Sequence, residues 1–196
     1  MRRFSSTITF SLALAVLAGC DPAAPRFKST DITGVEYGRV LELHDVAGRT
    51  RRLEDFRGKA VVLFFGFTQC PDVCPTTLAE IGAALGQLAP EEAERVQVLF
   101  VTVDPERDTP ELLGRYLSAF DARIVGLRGD LAATRKVAQE FKIYFEKRKQ
   151  GDSYTVDHSA QSYVLDPQGR LRLLVRHERI GADLAPDLRA ILREDA

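Results

Sequence analysis

The sequence has no excess of charge of either sign: 27 lysines and arginines face 28 aspartates and glutamates over 196 residues. A nucleic-acid binder normally shows a basic surplus, so no nucleic-acid partner is expected. Cysteine is scarce. Three residues are too few to build a disulfide-stapled scaffold. Beyond Cys70 and Cys74 there is no second cysteine pair, which argues against a structural zinc site with its four ligands. Long apolar runs are also missing: the stretch from Ile8 to Ala18 is too short to span about 30 Å of hydrocarbon. Internal repeats and low-complexity segments are absent. What remains is 45% hydrophobic and 28% charged, which excludes disorder across the chain and suits one domain of ordinary size.

The N-terminus reads as an export signal. Arg2 and Arg3 precede the apolar run, which ends in Leu17-Ala18-Gly19-Cys20. Small residues before a cysteine resemble a bacterial lipoprotein signal, so residues 1–19 are expected to be removed and Cys20 to carry lipid. Residues 20–34, with Pro22 and Pro25, read as the lipidated cysteine and a tether, and residues 35–196 as the domain. The expected location is the periplasmic face of the bacterial inner membrane, an oxidising compartment for the remaining thiols.

Within the domain, Val40 to Leu43 and Thr50 to Leu53 predict an N-terminal hairpin. Ala60 to Phe67 is nearly all apolar, as in a strand covered on both faces. Leu78, Ile81, Leu85 and Leu88 follow at helical spacing over residues 74–88. Val96 to Val103 and Ile124 to Leu127 predict two more strands, and Leu131 to Phe141 a helix. Thr109-Pro110-Glu111 has a helix start's cap, proline and acid. Ile143 to Phe145 and Tyr154 to Val156 are expected to pair across a charged loop, Glu146 to Asp152. Its Lys147-Arg148-Lys149 run reads as a solvated loop, or as a patch that steers an acidic partner. Gln161 to Leu165 and Arg170 to Val175 flank an Asp166-Pro167-Gln168-Gly169 turn, and a last helix covers Leu184 to Leu192. The alternation predicts an α/β domain resembling thioredoxin, with an N-terminal hairpin and an additional hairpin insertion.

Chemistry concentrates at Cys70-Pro71-Asp72-Val73-Cys74-Pro75, between the buried strand and the first helix. Sites in α/β sheets form at the carboxyl ends of strands. A helix N-terminus favours anionic sulfur, and two sulfurs four residues apart can form a disulfide or clamp a soft metal such as Cu(I). Thioredoxin-type dithiols have two intervening residues rather than three. Of the three histidines, His44 and His177 read as surface or packing residues. His158 lies between ligand and satisfied core histidine on spacing alone, with Asp157 beside it as a candidate to orient its ring. Asp104 and Asp108 read as strand-end and helix-start residues, with tuning of the nearby site as the functional alternative.

Three segments carry a family resemblance: Phe65 to Pro75, Thr102 to Pro110 and Val156 to Ser159. Together they resemble the SCO/SenC copper chaperones over about residues 35–192. The resemblance implies a thioredoxin-like fold and one copper held by Cys70, Cys74 and His158. It implies a partner as well, the cytochrome c oxidase subunit carrying CuA, whose site such proteins load with copper or keep reduced. Other periplasmic copper chaperones or thioredoxin-like reductants are further expected partners. A thiol–disulfide oxidoreductase using Cys70 and Cys74 is the competing function.

Overall fold

The computed structural model describes residues 27–195. The expected signal segment, residues 1–19, and Cys20 lie outside the described residues. Among these residues ten strands and five α-helices follow in chain order: β1 Thr30–Asp31, β2 Glu42–Asp45, β3 Thr50–Arg52, β4 Ala60–Gly66, α1 Val73–Leu85, α2 Pro90–Glu94, β5 Val96–Thr102 and α3 Pro110–Ser118. After these come β6 Val125–Arg128, α4 Leu131–Glu140, β7 Phe145–Gln150, β8 Ser153–His158, β9 Ser162–Leu165, β10 Leu171–Val175 and α5 Ile180–Glu194. Eight strands form one sheet in the order β1-β10-β9-β4-β5-β6-β2-β3, and β7 and β8 form a separate two-stranded ribbon.

The sheet is centred on β4. All seven of its residues are buried, because it lies between parallel β5 and antiparallel β9 with both faces covered. Burial of this kind removes the period-two alternation of a half-exposed strand, which is why the segment reads as one apolar run. Helices α1 and α5 pack against each other, and α5 also meets β4 and β10. The β10-β9-β4-β5 order with these helices is the thioredoxin-like core expected from the sequence. The hairpin β2–β3 extends it beyond β6, and the ribbon is the inserted hairpin. Thr109 caps α3 as expected, its hydroxyl accepting from the Leu112 N–H at 3.2 Å. Among the described residues no helix is long and apolar enough to cross a membrane.

Three expectations are corrected. The domain begins before residue 35: β1 pairs with β10, and the Lys28 and Ser29 N–H groups donate to the buried Asp187 carboxylate at 2.7 and 2.8 Å. The expected charged loop from Glu146 to Asp152 is instead mostly strand, with a turn only at Gly151-Asp152. Gly151 there has φ +59°, at the first central position of a two-residue hairpin. Residues 146–150 are exposed, so no apolar alternation marks the strand. The Lys147-Arg148-Lys149 run therefore lies on β7, where Lys147 pairs with Glu106 and Arg148 with Glu146 and Asp157, which spends most of its charge locally. Finally, α5 starts at Ile180 rather than Leu184. Pro186 sits inside the helix.

Candidate metal centre

The parallel strand β4 delivers its carboxyl end to the site. Gly66 closes the strand, the chain turns through Thr68 and Gln69, and α1 opens at Val73 with Asp72 as its cap. Pro75 falls in the first turn, where a missing N–H costs no intrahelical bond. Cys74 also lies in that turn. Its backbone N–H, one of the donors a helix start leaves free, points at Cys70 Sγ at 3.4 Å. Cys70 is half-buried, Cys74 is fully buried, and both thiols are free.

His158 arrives from the far side. It ends β8, and its Nε2 lies 3.5 Å from Cys74 Sγ. The Nδ1–H donates to the Ser159 carbonyl oxygen at 2.8 Å, because a carbonyl can only accept. The other ring nitrogen, Nε2, is left facing the sulfurs, where it can donate to a thiolate or offer a lone pair to a metal. The rings of Phe64 and Phe67 meet the imidazole edge-on, with centroids 6.4 and 5.7 Å away. One donor atom each from Cys70, Cys74 and His158 lies within 4.8 Å of the other two. A groove of about 360 Å³ gives access, lined by Phe67, Cys70 to Val73, Thr155 to His158 and Ala160.

The two thiols divide one proton unequally. A hydrogen bond from Cys74 holds Cys70 down at about 4, helped by His158 and by the backbone N–H groups of Asp72 and Cys74 against the cost of burial. The same hydrogen bond, burial and the neighbouring anion push Cys74 far above the ordinary thiol range. Alkylation of Cys70 in reduced, metal-free protein is thus expected to vary less than about threefold between pH 6 and 9. A thiol of ordinary pKa would gain roughly two-hundredfold or more over that interval. A rate that climbs in that way would show that Cys70 is not held as thiolate.

The Thr102 to Pro110 segment contributes more than a helix start. The buried Asp108 accepts from the Thr68 N–H and hydroxyl, at 3.1 and 2.6 Å, and from the Thr102 hydroxyl at 2.6 Å. It thereby ties the turn before Cys70 to the end of β5, and burial pushes its carboxyl up. Asp104 accepts from the Tyr154 hydroxyl at 2.9 Å and pairs with Arg107. Thr68, Arg107 and Tyr154 carry no sequence signal of their own beyond two of them lying inside recognisable motifs. Asp157 does not orient the histidine: successive strand residues point to opposite faces, and its exposed carboxylate accepts from Arg148 Nε at 2.9 Å. His44 is exposed on β2, and His177 lies in a short turn before α5; neither joins the cluster.

The donor set fits a soft, single metal ion: two sulfurs, one already anionic, and one imidazole lone pair. Comparison with known proteins agrees with this chemistry. Protein sco1 of Schizosaccharomyces pombe is 34% identical over 154 residues, which cover 76% of this chain and 59% of that protein. The chain thus spans about three fifths of that relative's length. Bradyrhizobium japonicum ScoI, solved with copper bound, is 38% identical with a TM-score of 0.72, covering 79% of this chain and 99% of that one. Apo Sco1 of Thermus thermophilus is 41% identical with a TM-score of 0.76, covering 86% and 98%. The family model SCO1/SenC matches residues 30–193, so the chain belongs to the SCO1/SenC family.

Proposed function

We propose that this protein is a membrane-anchored periplasmic copper metallochaperone that serves assembly of the CuA centre of cytochrome c oxidase. The observation that carries the reading is the convergence of Cys70, Cys74 and His158 from segments 84 residues apart. Kinship with a copper-bound Sco protein supports it, and so does a fold shared with BsSco, a member of the Sco family of cytochrome c oxidase assembly proteins. Cys70 and Cys74 supply the sulfurs that suit Cu(I), and His158 a nitrogen that suits Cu(II). With Cys70 already deprotonated, loading needs only the Cys74 proton to leave. The groove beside Cys70 leaves an approach for a partner's own ligands, as a donor that must release its cargo requires. The test is copper titration of a reduced fragment beginning after Cys20, against a calibrated chelator. One copper per chain is expected; none held in competition would remove the reading.

The difference between the two thiols also favours thiol–disulfide exchange on the partner's CuA cysteines. Cys70 thiolate would attack a partner disulfide, and the displaced sulfur would leave as a thiol after protonation. Cys74 would then lose its proton, attack Cys70 and release the second partner thiol, leaving a Cys70–Cys74 disulfide for a reductant to reset. Rapid reduction of protein disulfides by a fragment that holds no copper would make this the main activity.

The lipid anchor at Cys20 has its own check. Cys20→Ser protein is expected in the soluble fraction, whereas the unaltered protein partitions with membranes. Continued membrane partitioning of Cys20→Ser would sink the lipoprotein assignment.

A further inference from the structure

We propose that Arg107 is a positioning residue that sets the distance between the histidine strand and the cysteine turn. The inference rests on the ligand set of Cys70, Cys74 and His158 given above. The ribbon β7–β8 pairs with no strand of the main sheet, so the placement of His158 depends on how one ribbon face is seated. Tyr154, Val156 and His158 share that face, because strand side chains repeat every second residue. Val156 is buried, and His158 reaches Cys74. Tyr154 seats the other end, four residues or about 13 Å from His158 at the usual strand rise.

Arg107 makes that seat. Its guanidinium carbon lies 3.8 Å from the centre of the Tyr154 ring, and its Nη1 donates to the Tyr154 carbonyl at 2.8 Å. The same Nη1 donates to Gln69 Oε1 at 3.1 Å, one residue before Cys70. Its Nε pairs with the fully buried Asp104, whose other oxygen accepts from the Tyr154 hydroxyl at 2.9 Å. One side chain thus joins the loop after β5, the cysteine turn and the strand carrying His158. A planar fork with five donors can hold three such partners at once; a lysine ammonium with the same charge lacks both the plane and the reach.

The test uses Arg107→Lys, which keeps the charge, and Tyr154→Leu, which leaves Arg107 and Asp104 in place. In reduced, metal-free protein, nuclear Overhauser contacts between the His158 and Phe67 rings are expected to be strong, given their 5.7 Å centroid separation. Each variant should lose at least half of that intensity while contacts between Val62 and Val164 in the main sheet persist. With copper, each should bind about 10- to 100-fold more weakly, and its Cu(II) spectrum should move toward that of His158→Ala. If Arg107→Lys does not fold, Tyr154→Leu carries the test alone. Full-strength His158–Phe67 contacts in a folded variant overturn the proposal. The metal-free measurement separates the two ideas: unaltered protein that binds no copper removes the proposed function, while the ring contacts still read the role of Arg107.

Discussion

Cys70→Ser and Cys74→Ala proteins are each expected to lose copper in a chelator competition that the unaltered protein withstands. The loss should exceed the roughly 10- to 100-fold that removal of an outer partner of a metal ligand costs. Cys74→Ala leaves a small apolar residue in a fully buried position, so the apo-protein should stay folded and the effect should fall on binding. Cys70 is half-buried, and serine retains its shape without its sulfur. His158→Ala should behave differently. Two sulfurs still suit Cu(I), whereas Cu(II) loses its only nitrogen donor among the three, so the Cu(II) spectrum should change most. An unaltered spectrum and affinity in His158→Ala would strike the histidine from the ligand set.

Gly66→Ala should disturb fold and site together. A Cβ built at Gly66 would stand 2.8 Å from Cys74 Sγ and 2.9 Å from the Phe100 ring, closer than real side chains come. Neither neighbour has room to retreat, since both are completely buried. Overpacking of this kind costs about 1–3 kcal/mol. For a domain of this size each kcal/mol lowers Tm by about 2–4 °C. The strand itself would tolerate alanine well, so any loss reports crowding rather than backbone preference. Because one crowded atom is a ligand sulfur, copper affinity should fall along with Tm. A thermal melt and a chelator competition on the same preparation decide it; wild-type values in both would show slack between β4 and α1.

The elements legible in the sequence were those whose burial writes a pattern. The apolar run of β4 and the Thr109-Pro110-Glu111 start of α3 were readable because each has a local cause. The cysteine pair was readable for the same reason, lying at a strand-to-helix corner. His158 was ambiguous by spacing alone, since its partner lies 84 residues earlier and only the fold brings them together. The family motifs, rather than periodicity, pointed to it. Ribbon residues 146–150 were hidden because exposed strands need no apolar alternation. Asp157 was misread because adjacency in sequence places it on the opposite face of β8. Asp108 looked like helix punctuation, yet its carboxylate serves Thr68, 40 residues away.

The distance along the chain between Cys74 and His158 has a further consequence, for the lifetime of the protein in its compartment. A metal held by both would cross-link a loop of 84 residues that contains β5, β6 and the whole ribbon. Closing a loop of that length removes disorder from the unfolded chain worth about 4–5 kcal/mol in the cross-link model. Proteases act largely on opened chains, at a rate set by how often opening occurs. The loaded protein would therefore outlast the empty one, and degradation itself would sort the population toward molecules that hold the metal.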